Sequence, residues 1–104
     1  MAFGIGINSG HQEHGELKGP YQEVAVKCWF TASGRSMPLG MKLKTEDEII
    51  EIRDIQVQTA EKQFYAGILH WRYRCLAAAG NRQFSFTLLF RPDECTWKLL
   101  EPRE

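Results

Sequence analysis

Between Ile68 and Phe90 the chain reads ILHWRYRCLAAAGNRQFSFTLLF, and no other stretch limits its fold so strongly. Leu69, Trp71, Tyr73, Cys75 and Ala77 alternate with Ile68, His70, Arg72, Arg74 and Leu76. After a break at Ala79-Gly80-Asn81 the alternation resumes with Phe84, Phe86, Leu88 and Phe90. A period of two sends successive side chains to opposite faces of a strand, and Gly-Asn between two such runs is hairpin chemistry. One face of this hairpin carries most of the large apolar side chains; the other, on its first strand, carries His70, Arg72 and Arg74. The pattern predicts an all-β domain with this hairpin at its centre.

The flanking segments extend the pattern. Val24, Val26, Cys28 and Phe30 point one way, and Glu23, Ala25, Lys27, Trp29 and Thr31 the other, which predicts a strand with a defined inner face. Ala32-Ser33-Gly34-Arg35 turns the chain into a second strand, with Met37, Leu39, Met41 and Leu43 inward and Lys42 and Lys44 outward. Pro38 removes a ladder donor, so this strand is expected at an edge or beside a bulge. Thr45-Glu46-Asp47-Glu48 forms the next turn. In IIEIRDIQV the apolar phase changes between Ile50/Ile52 and Ile55/Val57, which predicts a bulge near Arg53-Asp54. Gln58 to Gly67 reads as a loop with a short helical turn, and Arg91-Pro92-Asp93-Glu94 as a turn into a last strand with Cys95, Trp97 and Leu99 inward. About six strands joined by short turns predict one highly curved antiparallel sheet closing into an SH3-like or OB-like barrel or roll.

Residues 1–20 differ. They hold five of the nine glycines, with His11, His14 and Pro20, and are expected to form a flexible arm with at most a brief extended piece at Phe3–Ile7. Gly4, Gly6 and Gly10 lack the preceding strand and following helix of a dinucleotide-binding turn, and two histidines do not make a metal site. Residues 21–104 are then a single β domain; 104 residues do not leave enough surface to bury in a second core.

Thirteen basic and thirteen acidic residues balance to a net charge of zero, which argues against a chain whose main task is gripping nucleic acid or an anionic membrane. No apolar run is long enough for a transmembrane helix, and the first residues lack the basic and apolar regions of a signal peptide. Cys28, Cys75 and Cys95 are odd in number, contain no C-x-x-C and fall on predicted inner faces. Reduced core cysteines of a cytoplasmic protein are the expected reading, with no metal and no cofactor.

From Val24 onward the landmarks run Trp29-Phe30, Gly34-Arg35, Pro38-Leu39, Ile52 to Ile55, Arg72-Tyr73-Arg74-Cys75, Phe84 to Phe90, and Trp97. In that order the chain resembles a family of small bacterial all-β proteins without assigned function. The resemblance spans about 75 residues. It implies a small β-barrel and supplies no catalytic or binding residues.

Catalysis requires a nucleophile with its base, a carboxylate pair in a pocket, or metal ligands. Cys75 sits among inner-face residues, His70 stands on an outer face as a solvated or contact residue, and Glu46 to Asp54 form a solvated acidic turn and strand. The chain is therefore not expected to be an enzyme. Two binding readings remain. Trp29 with Lys42, Lys44, His70, Arg72 and Arg74 would make an aromatic and basic sheet face of the kind that binds single-stranded nucleic acid. Against it stand the zero net charge and the nearby acids, which can pair with the same lysines across strands. Trp29, Leu76, Leu89 and Leu100 fall on predicted outer faces, and exposed apolar groups beside a sheet edge mark a protein interface. A protein–protein interaction or self-associating β module, including a homodimer, is the leading expectation, with nucleic acid the alternative and no membrane role.

Overall fold

The computed structural model describes Gly15, Leu17 and residues 19–100. The expected N-terminal arm lies almost wholly outside these residues, as does the tail after Leu100. Eight strands are present among them: β1 Tyr21–Glu23, β2 Ala25–Phe30, β3 Ser36–Lys44, β4 Ile49–Ile52, β5 Gln56–Tyr65, β6 Ile68–Ala79, β7 Arg82–Arg91 and β8 Thr96–Leu100. All pairings are antiparallel. They build two sheets, one ordered β1-β8-β7-β6-β5 and one ordered β2-β3-β4.

The all-β class is as expected; a single sheet closed into a barrel is not what forms. Between the described residues no ladder joins the two sheets. The chain crosses from one to the other at two corners instead. At Val24 the strand that began as β1 leaves β8 and continues as β2, and the Val24 N–H donates to the Trp97 carbonyl at 3.3 Å. At Arg53-Asp54 the chain passes from β4 to β5, and the Ile55 N–H donates to the Leu39 carbonyl at 2.9 Å. Asp54 has φ 55°, a left-handed conformation that Asp tolerates better than branched residues do. The change of apolar phase in IIEIRDIQV is thus a corner between sheets rather than a bulge within a strand. Because of that corner Ile52 and Ile55 both face the core.

The central hairpin forms as its alternation predicts, from Ile68 to Arg91. Ala79 pairs with Arg82, leaving Gly80-Asn81 as a two-residue loop, with Gly80 at φ 63° in the first position, where a II′ turn favours glycine. Tyr73, Cys75, Ala77, Leu88 and Phe90 on its inner face are buried with Met41, Ile52, Ile55 and Trp97 from other strands. Phe90 and Trp97 rings lie 4.6 Å apart. Two sheets therefore share one core. A buried polar clasp also joins them: the Tyr73 hydroxyl donates to the Ser36 carbonyl at 2.7 Å and accepts from the Ser36 hydroxyl.

Three local readings change. Gln58 to Gly67 is not a loop with a helical turn but most of β5, paired along β6 and closed by Ala66-Gly67. Its alternation was hidden by a register shift between Val57 and Thr59 and by polar residues on both faces of an edge strand. On β3 the register skips Leu39, so that Lys27 faces Gly40 and Cys28 faces Pro38. The bulge beside Pro38 inverts the expected faces ahead of it: Ser36 and Pro38 are buried and Met37 is exposed. Cys95 is exposed at φ 56° in the turn before β8, not on an inner face.

Candidate functional site

The outer face of the three-stranded sheet is assembled from alternate residues of β2, β3 and β4. Cross-strand register places Trp29 beside Met37, Lys27 beside Gly40, Ala25 beside Lys42 and Glu51, and Lys44 beside Ile49. Trp29 is 68% exposed and Met37 44%. Phe30, the last residue of β2, lies on the opposite face and is 57% exposed, its ring 6.2 Å from Phe90 at the rim of the core. One end of this small sheet thus presents an indole, a thioether and a phenyl ring to solvent, while its middle carries lysines. Large apolar groups gathered at one sheet end differ from the scattered single exposures normal on a monomer.

Beside this strip lies a cleft of about 960 Å³, where Gly40 packs under the corner into β5. A Cβ on Gly40 would stand 3.0 Å from the Ile52 carbonyl oxygen, so the corner's backbone rests directly on β3. Lys27, Lys42 and Arg53 line the cleft together with Glu51 and Asp54. Glu51 holds Arg53 in an ion pair of 3.3 Å, exposed on both sides. Three cations against two carboxylates leave the cleft close to neutral. A polyanion is better recognised by a surface of one sign.

The six residues of the expected aromatic and basic face are not brought together. Trp29, Lys42 and Lys44 are exposed on the outer face of the small sheet. His70, Arg72 and Arg74 lie on β6, on the face of the large sheet turned away from the shared core. Arg74 is exposed there and Arg72 half-buried. His70 is neither solvated nor available for contact: it is 4% exposed, and its Nδ1–H donates to the Ile68 carbonyl at 3.0 Å. Only a protonated Nδ1 can make that bond, since a carbonyl accepts. The Tyr65 ring meets His70 edge-on at 5.1 Å, and the Tyr65 hydroxyl donates to Gln63 Oε1 at 2.5 Å. Leu89, expected to be exposed, is 1% exposed, between cross-strand neighbours Arg72 and Lys98 that are themselves half-buried. Leu76 and Leu100 are half-buried, so of the four expected outer apolar residues only Trp29 is exposed.

Chemistry of the nucleophilic kind is poorly served by these surroundings. Burial holds the Cys75 thiol up to about 12, far from the thiolate a nucleophile needs. Cys28 is also raised, first by burial, against a backbone hydrogen bond from Met37. Among the described residues no three His, Cys, Asp or Glu side chains gather in a metal-binding group. At the far rim of the core Arg35 and Lys62 each lie 5.6 Å from the ring centre of Trp71, which accounts for both cations as cover for a half-buried indole.

Sequence reasoning missed Met37 and Phe30 as members of the exposed strip. Met37 was legible in principle, because Pro38 already signalled a bulge and a bulge exchanges faces. Phe30 was not, since its exposure arises from its place at the end of β2. Comparison with protein-family models, with curated proteins and with solved structures gives no match to this chain.

Proposed function

We propose that this protein is a non-catalytic interaction module that docks another polypeptide on the Trp29 end of its three-stranded sheet. The observation that carries the reading is the cross-strand pair Trp29–Met37, both exposed, with exposed Phe30 adjoining it. Burying a Trp, a Met and a Phe supplies the aromatic anchors on which interface affinity rests. The near-neutral cleft beside them suits the mixed charges of a polypeptide.

The test places a photo-crosslinking amino acid at position 29, and separately at position 74 on the other sheet, in cells that make the protein. A discrete cross-linked polypeptide from position 29 alone is the expected result. Equal products from both positions, or none, would overturn the reading. A parallel titration with short single-stranded RNA and DNA, followed by tryptophan fluorescence at two salt concentrations, separates the nucleic-acid alternative. No response at low salt is expected; saturable quenching that weakens steeply with salt would replace the protein partner with a nucleic acid.

A further inference from the structure

We infer that the polypeptide docked at this end is a second copy of the same chain, joined by antiparallel pairing of the two β2 edges. This inference rests on the interaction reading above and assigns its partner.

Among the described strands four stand at sheet edges, and three of them are blunted. β1 is only three residues long. β4 has four residues, one of them the exposed Glu51. β5 carries a register irregularity at Gln58 and exposed Glu61 and Lys62. Short length, bulges and charge are the usual ways of keeping an edge from pairing. β2, Ala-Val-Lys-Cys-Trp-Phe, has none of these beyond one lysine. The irregularity between β2 and β3 places its extra residue, Leu39, on β3, so the free edge of β2 stays regular. Among the described residues the backbone bond nearest that edge outside the β2–β3 ladder is the one from the Val24 N–H to the Trp97 carbonyl, just before β2 begins. The zero net charge means that two copies do not repel each other as wholes.

Residue identity then selects the register. In an antiparallel pair directly opposed residues share a face, so a two-fold axis between the edges must pass through a residue, not between two. An axis at Lys27 sets that lysine against the partner's Lys27, like charge against like. An axis at Cys28 instead sets Lys27 against the partner's Trp29 and Val26 against the partner's Phe30, each twice by symmetry. An ammonium beside an indole and two apolar pairs are favourable in the same places. The Cys28 register also gives the exposed Trp29 and Phe30 a cross-strand neighbour in the partner. The two small sheets become one six-stranded sheet, and the two unpaired β2 edges disappear.

Two substitutions of the same exposed tryptophan test this register. Trp29→Lys sets Lys27 against a lysine in the partner, whereas Trp29→Glu sets it against a carboxylate; both remove the indole equally. Sedimentation velocity over a concentration series, with circular dichroism to verify the fold, is expected to give a wild-type dimer. It should also give a dissociation constant at least about tenfold weaker for Trp29→Lys than for Trp29→Glu. In a Cys95→Ser background, a short bismaleimide should link two chains through Cys28, and adding Trp29→Lys should abolish the product. Equal weakening by the two substitutions, or a monomeric wild type, overturns the inference. If the wild type is monomeric while a photo-crosslinker at position 29 still captures a different polypeptide, self-pairing falls and the interaction reading stands. If neither occurs, both fall.

Discussion

Ala66 has φ 51° and Gly67 φ 77°, so the two residues between Tyr65 and Ile68 form the type I′ turn that matches the twist of a hairpin. The first position suits Asn far better than Ala, whose Cβ crowds its own carbonyl there. Ala66→Asn should stabilise the protein by about 0.5–1 kcal/mol, read as a higher urea midpoint with an unchanged slope. Cys75 works in the opposite direction at high pH. Its thiol is raised from an ordinary 9.0 to about 12 by burial. The folded chain therefore keeps a proton that the unfolded chain releases, so stability is full below pH 9 and falls from pH 9 towards 12. The expected slope is roughly 1.4 kcal/mol per pH unit. Tyr73, also raised by burial against its bond to Ser36, adds a loss of the same sign beginning near its ordinary 10.0. Urea unfolding between pH 8 and 11 should show the decline, and Cys75→Ala should flatten its early part.

Which elements the sequence revealed depended on whether alternation ran unbroken. β6 and β7 alternate over ten residues or more with large apolar groups on one face, and both were legible. β5 is as long, yet its residue Gln58 falls out of register and its exposed positions include Gln56, Thr59, Glu61 and Lys62, so period and polarity pointed away from a strand. The corner at Arg53-Asp54 announced itself as a phase change. A phase change alone does not say whether a strand bulges or leaves its sheet. At that corner Asp54→Gly should be neutral or slightly stabilising, because glycine adopts a positive φ without strain. Asp54→Val should cost about 1–2 kcal/mol. Thermal unfolding of the pair checks this; equal effects would mean that the left-handed conformation at Asp54 is not what holds the corner.

Across the whole molecule the two sheets are held by their common core and by the Tyr73–Ser36 clasp. Tyr73→Phe keeps the ring but leaves the buried Ser36 hydroxyl and carbonyl without the phenol. A loss of about 1–3 kcal/mol is expected in equilibrium unfolding. Adding Ser36→Ala should recover part of it, since one orphaned group is then gone. The candidate surface was legible only in part, and for a reason of scale. Trp29, Lys42 and Lys44 share a face because they share a sheet, while Arg72 and Arg74 belong to the other sheet, and alternation along a strand says nothing about which strands become neighbours.

The pairing of β1 with β8 has a mechanical consequence. Tyr21 lies opposite Leu100, so the first described strand begins and the last one ends side by side at one end of the same ladder. Tension applied through those two points does not slide the strands past each other, which would load all their rungs together. It peels them apart, from Tyr21–Leu100 to Gln22–Leu99 to Glu23–Lys98, one rung at a time. Each rung yields before the next bears the full load, so a modest stretch strips β1 from the edge towards the corner at Val24, while the Thr87–Leu100 rung passes part of the same pull through β8 to the central hairpin.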